Sequence, residues 1–77
     1  MTVMRNAASL RTVGEVLYGG SFHSPLAYDL DVGIRVMQRW SSGKMDIPDG
    51  VWAELLELCR ARRLAIGRIE KQLRWLK

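Results

Sequence analysis

The chain has little of what enzymes and secreted domains are commonly built from, since its 77 residues include one cysteine and one histidine. Cys59 has no second cysteine to form an internal disulfide, so we expect a reduced, cytoplasmic protein. One histidine is too few for most acid–base schemes, and no cluster of metal-ligating residues occurs. A solvated helix face explains the neighbouring acids Glu54 and Glu57. We therefore expect no enzyme, no cofactor, no metal and no small-molecule substrate.

Long apolar runs are also missing, because charged residues, Gly and Thr interrupt the first twenty positions. No stretch approaches the roughly eighteen apolar residues of a membrane span, so we expect no membrane insertion. No alternation typical of strands and no internal repeat occurs, which favours an all-α fold. A single domain over residues 1–77 would bury only about 60 to 65% of its unfolded surface. The apolar fraction of 48% is high for this size, so we expect a homodimer that shares apolar surface.

Apolar spacing predicts the first helix. Leu10, Val13 and Leu17 recur at i, i+3 and i+7 and indicate an amphipathic helix over residues 7–18. The glycine pair that follows should stop it. Residues 1–6 are expected to form a loose arm before it.

Residues 24–31 predict a short second helix. Ser24 is a favourable N-cap and Pro25 a favourable first residue, so the helix should start there. It should end near Asp31. Its inward side is predicted to carry Leu26, Ala27 and Leu30.

A third helix is predicted from about Gly33 to Ser42, closed by Gly43. Met37 and Trp40, at i and i+3, give it a core side next to Val36. The open side carries Ile34, Arg35, Gln38, Arg39 and Ser42.

This segment resembles the helix-turn-helix of lambda-repressor-like regulators, the Cro and phage-repressor type. The likeness rests on Leu26, Ala27, Leu30, Val32, Met37, Arg39, Trp40, Gly43, Lys44 and Pro48. It implies a compact bundle of four to five helices with a central helix-turn-helix. It also implies a homodimeric repressor of a phage or mobile-element operon, most simply its own, which binds a double-stranded, inverted-repeat operator. Anti-CRISPR-associated regulators and antitoxins would have the same sequence features, so the sequence does not separate them.

Three positions depart from the family pattern. The inter-helix turn usually has Gly at positive φ, whereas this chain has Asp31, which tolerates that region better than most residues. The recognition helix usually begins with a Ser or Thr cap, whereas Gly33 stands here and removes a hydroxyl contact to phosphate. A Gln that commonly precedes the first helix of the motif is replaced by His23.

The open side of the third helix is the candidate base-reading surface. Arg35 and Arg39 can each donate two hydrogen bonds to O6 and N7 of guanine, and Gln38 can pair with adenine. Ile34 can contact a thymine methyl group. The resemblance implies contacts to the sugar–phosphate backbone, which position the protein, from His23, Ser24, Gly33, Ser42 and Lys44. A merely solvated helix face would show the same polar residues.

From Trp52 onward the apolar residues follow alternating steps of three and four, with one polar interruption at Arg62. The first half should close the core, and the second half, about residues 62–77, is the candidate for dimerisation. The residues assigned to it are Ile66, Ile69, Leu73 and Leu76. Gly67 costs about 1 kcal/mol relative to Ala within a helix, so one long helix or two short ones both stay open.

Structural roles in the core explain three residues of this region and of the third helix. Trp40 and Trp52 are expected to be core aromatics, and Cys59 a small buried residue. Trp75 falls off the apolar stripe, so an exposed position, packing across a dimer and packing on the first helix are all open.

The net charge of +4 is concentrated late in the chain, where seven of the twelve basic residues follow Pro48. A basic balance attracts phosphate polymers but identifies none of them. Two other functions therefore stay open. The segment 59–77 could be a partner-binding or membrane-surface helix. Its arginines could also bind nucleic acid without sequence preference, with a steep dependence on salt.

Overall fold

The computed structural model describes residues 5–76, and this range contains four α-helices and no strand. The helices are α1 (Ala7–Tyr18), α2 (His23–Asp29), α3 (Ile34–Ser42) and α4 (Asp49–Trp75). The predicted all-α fold is confirmed, with four helices instead of a possible fifth. α4 is one helix of 27 residues, which Gly67 does not interrupt. Since α4 is so long, the molecule is elongated, with extents of 49 × 29 × 19 Å.

Helix α1 has the predicted bounds. The Asn6 side chain accepts a hydrogen bond from the backbone N–H of Ser9 at 2.9 Å and caps the helix, so the expected loose arm does not include Asn6. Residues 1–4 of that arm lie outside the described residues. Gly19 ends the helix at φ 86°, a conformation that favours glycine, and donates its N–H to the Glu15 carbonyl at 2.8 Å.

The predicted start of α2 is wrong. The helix begins at His23, so Ser24 is its second residue and caps nothing, and Phe22 precedes it without a side-chain cap. Burial of the Phe22 ring, which is 2% exposed, fixes where the chain enters this helix. Pro25 still lies in the first turn, where a missing N–H costs no helical hydrogen bond. The helix ends at Asp29, two residues earlier than predicted.

The turn between α2 and α3 has the predicted special residue. Asp31 has a φ of 56° and is the one non-glycine residue at positive φ in the described range. Helix α3 begins at Ile34, and its N-cap is Gly33, which has no side chain to bond the first N–H groups. Gly43 closes the helix in the left-handed conformation, at φ 80°, as predicted.

The core lies where the first three helices meet the first half of α4. Leu10, Leu26 and Met37 are fully buried at its centre. The predicted inward residues of α2 and α3 are buried, while Val36 and Trp52 are half-buried against the core. Cys59, expected to be a small buried residue, is half-buried. Trp75 is 89% exposed and does not pack on α1.

Gly14 is the point of closest approach between α1 and the segment before α2. A Cβ at this position would lie 2.6 Å from Cγ of the buried Phe22 ring. Gly14→Ala should therefore lower the free energy of unfolding by about 1–3 kcal/mol, because the ring must shift within a packed core. Urea denaturation measures the loss. Gly50→Ala is the matched control, since a Cβ there meets nothing within 4 Å, and a comparable loss in that variant would contradict this account.

A cluster around Tyr18 joins three of the helices. Its hydroxyl donates a hydrogen bond to the Asp29 carboxylate at the end of α2. Arg62 of α4 donates from Nη1 to the Leu17 carbonyl at 2.6 Å. The Arg62 guanidinium also lies over the Tyr18 ring, with Cζ 5.2 Å from the ring centroid. The cluster fixes the middle of α4 against the end of α1.

Tyr18 makes the stability of the fold depend on alkaline pH. Burial, the hydrogen bond to Asp29 and the charge of that carboxylate raise the pKa of Tyr18 from 10.0 to about 12. A group that holds its proton more tightly when folded stabilises the fold below its unfolded pKa and loses that effect as pH rises through its folded pKa. Between about pH 10 and pH 12, the wild type should therefore lose more stability than Tyr18→Phe.

Denaturation at several alkaline pH values checks this difference. Tyr28→Phe is the matched control because Tyr28 is 85% exposed, and it should keep the pH dependence of the wild type. An identical pH dependence in Tyr18→Phe and the wild type would rule out this role of Tyr18.

Candidate functional site

The exposed side of α3 forms an open polar hollow of about 500 Å³. It is lined by Arg35, Gln38, Arg39, Ser42 and Lys44, and all five residues are exposed. Arg35, Gln38 and Arg39 share one side of the helix because they are three and four residues apart. The hollow thus combines three cationic groups with an amide and a hydroxyl. No acidic residue lines it, so it favours an anionic ligand.

The opposite side of α3 is fixed in the core. Met37 is fully buried and Trp40 is 4% exposed, and both α1 and α2 pack against this helix. The core therefore determines which side chains α3 presents to solvent.

Ser41 gives α3 a second, polar attachment. Although Ser41 is 6% exposed, its carbonyl accepts a hydrogen bond from Nη1 of Arg11 in α1. Its hydroxyl donates to the Gln38 carbonyl at 3.1 Å and lies 2.9 Å from Nε2 of His23 in α2. These contacts hold the C-terminal half of α3 to both preceding helices. The exposed side chains of α3 consequently project from a helix that both preceding helices hold in place.

The three central side chains of the hollow have no internal partner. Within residues 5–76, the side chains of Arg35, Gln38 and Arg39 make no hydrogen bond or ion pair. Their donors are therefore available to a ligand, and binding would not have to break an existing interaction. Ile34 is 40% exposed at the beginning of the same helix.

The residues predicted to contact a nucleic-acid backbone are distributed over several places. Ser42 and Lys44 lie in the hollow with Arg35, Gln38 and Arg39. Gly33 is exposed at the other end of α3, and Ser24 is exposed on α2. His23 is half-buried, stacks on Phe22 with ring centroids 4.2 Å apart, and pairs with Ser41. Its ring therefore takes part in internal packing.

The residues assigned to dimerisation are remote from the hollow. They lie on the second half of α4, and their exposed fractions are 53% for Ile66, 53% for Ile69, 62% for Leu73 and 74% for Leu76. The hollow and this apolar surface are separate features of the molecule.

Sequence reasoning missed the groups that position α3 and α4. Arg11 resembles any solvated residue of an amphipathic helix, and Ser41 any polar residue near a helix end. Arg62 did give a signal, because it interrupts an apolar stripe. Its partner, the Leu17 carbonyl, is recognisable only in the folded structure.

Comparisons with protein-family models, curated proteins and solved structures find no match for this chain. The family resemblance thus depends on residues 24–48 alone. In the described range, no three His, Cys, Asp or Glu side chains are grouped to hold a metal ion. No helix within residues 5–76 has the length and apolar character needed to cross a membrane.

Proposed function

We propose that this chain is a sequence-specific DNA-binding regulator in which α2, the turn at Asp31 and α3 act as a helix-turn-helix. The observation that supports this most is the polar hollow on α3. Its cationic and amide side chains make no hydrogen bond or ion pair within residues 5–76, and they lie on one side of a helix that the core anchors from the other. The contacts of Ser41 add to the core packing of Met37 and Trp40 in holding this helix in place.

The side chains of the hollow match the chemistry of the DNA major groove. Arg35 and Arg39 present forked donors for O6 and N7 of guanine, and Gln38 has the donor and acceptor that adenine requires. Ile34 offers an apolar contact for a thymine methyl group. A helix of about 10–12 Å diameter fits a groove about 12 Å wide. Each well-formed base contact discriminates by about 1–3 kcal/mol.

The remaining predicted contacts would position α3 in the groove. Lys44 and Ser42 flank the reading residues and suit phosphate oxygens, as do the exposed Ser24 and the backbone at Gly33. His23 acts indirectly in this proposal, by fixing Ser41. We propose a homodimer on an inverted repeat, with the reading helices about 34–36 Å apart, that represses a phage or mobile-element operon.

Selection from a library of random duplexes at physiological salt tests the proposal. We expect enrichment of an inverted repeat with guanine in both arms, bound roughly a thousandfold or more tightly than a scrambled duplex. Enrichment of no common sequence, together with weak binding that falls steeply with salt, would contradict specific reading. That result would favour sequence-independent attraction by the basic residues of α4.

A further inference from the structure

The second half of α4 carries an apolar stripe that no part of the described chain covers. Its members are Ile66, Ile69, Leu73 and Leu76, each more than half exposed. In residues 60–76, every residue is exposed apart from the half-buried Gly67. A continuous apolar stripe on a projecting helix is typical of an interface.

We infer that a second copy of this chain covers the stripe, that the two α4 helices run antiparallel, and that Ile66 lies opposite the partner's Ile69. This inference deepens the proposed homodimer, and thus rests on the proposed function, by specifying the direction and register of the pairing. The charges beside the stripe determine both.

A parallel pairing gains no favourable charge pair. It would set Arg62, a member of the same spacing, opposite the partner's Arg62, where only the aliphatic stems could meet because each guanidinium is directed to the Leu17 carbonyl. The flanking positions would pair Ala65 with the partner's Glu70, and no pair of opposite charges would form across the interface. A parallel dimer would therefore gain nothing electrostatically at its edges.

An antiparallel pairing brings opposite charges together in one register. With Ile66 opposite the partner's Ile69, Arg63 flanks the partner's Glu70, and symmetry repeats the pair. A slip by one heptad in one direction would set Glu70 against the partner's Glu70. A slip in the other direction would set Arg63 against the partner's Arg63. Charge complementarity thus selects a single register.

An apolar groove lies beside the stripe. Val16 of α1 is 80% exposed and, with Leu17, Cys59 and Ile66, borders an apolar groove of about 260 Å³. The partner's Leu73 would be opposite Arg62, next to this groove. Arg62 directs its guanidinium to the Leu17 carbonyl, which leaves its aliphatic stem for apolar contact.

The register also fixes how far apart the two copies of Leu55 lie along the paired helices. The twofold axis would cross α4 between Gly67 and Arg68. At 1.5 Å per residue, Leu55 in the core lies about 19 Å from that axis, so the two cores are about 38 Å apart along the helices.

Site-directed cross-linking in the absence of DNA tests the register. Leu76→Cys places a thiol opposite the partner's Cys59, and a short thiol-to-thiol cross-linker should join them. Within one chain the two positions are about 25 Å apart, which such a reagent cannot span. We expect a covalent dimer in Leu76→Cys, and none in Leu76→Cys combined with Cys59→Ser or in the control Trp75→Cys. A cross-link that persists without Cys59, or none in Leu76→Cys, overturns the inference.

A charge exchange tests the same register without thiols. Glu70→Arg should weaken dimerisation about three- to tenfold in sedimentation equilibrium, since two exposed ion pairs become repulsive. Arg63→Glu combined with Glu70→Arg should restore it, and Lys71→Glu, off the stripe, should leave it unchanged. No weakening in Glu70→Arg, or no restoration in the combined variant, would also overturn the register. Neither experiment contains DNA, so failure of specific DNA reading would not change these results.

Discussion

Replacing both Arg35 and Arg39 by alanine should abolish the preference for the selected duplex while the protein stays folded. Each arginine is expected to contribute about 1–3 kcal/mol of discrimination, and a dimer on two half-sites makes four such contacts. A thousandfold preference should therefore fall close to one. Competition between the selected and a scrambled duplex measures this loss. Both side chains are exposed, so the free energy of unfolding should change by less than about 0.5 kcal/mol.

The matched control removes the same charge elsewhere. Arg68→Ala combined with Arg74→Ala also deletes two exposed arginines, but from α4. This variant should bind all duplexes somewhat more weakly, with a smaller salt dependence, and keep its preference. If the α3 variant keeps its preference, or if the α4 variant loses it equally, α3 is not the reading helix.

Met37→Ala should cause a large loss of stability. The Met37 side chain is fully buried in the core. Truncation of such a side chain costs about 2–5 kcal/mol of stability. The free energy of unfolding of a domain this small is only about 4–12 kcal/mol. A large part of the stability would disappear, and DNA binding should fall with the folded fraction.

Urea denaturation of Met37→Ala and of the control Met37→Leu checks this prediction. The control nearly conserves volume and should lose less than about 1.5 kcal/mol. A loss below about 1 kcal/mol in Met37→Ala would contradict the packing described for α3. The folded fraction of either variant should keep its sequence preference, because the reading side chains are intact.

The parts of the fold that depend on short-range patterns were predictable. Helix α1 has the bounds that its apolar spacing and glycine pair indicate, and Gly43 and Asp31 adopt positive φ as expected. The start of α2 was not predictable from capping preferences, because burial of Phe22 outweighs a cap on Ser24. The continuity of α4 could not be decided, since the cost of Gly67 is small against the propensity of its many helix-forming neighbours.

The candidate site was likewise predictable from the sequence only in part. Helical periodicity predicts which residues of α3 face outward, and the five residues of the hollow are exposed. Its support depends on contacts between residues far apart in sequence. Arg11 and Ser41 are 30 positions apart, and His23 and Ser41 are 18 apart. No local pattern identifies such pairs.

The most direct test of the central claim couples one side chain to one atom of a base. In the selected duplex, each guanine is replaced in turn by 7-deazaguanine, which lacks the N7 acceptor in the major groove. Binding is measured for the wild type, Arg35→Ala and Arg39→Ala. We predict that one substitution weakens the wild type and leaves Arg39→Ala unaffected, with a second guanine showing the same relation to Arg35. Equal weakening of the wild type and both variants at every guanine would contradict reading of the major groove by α3.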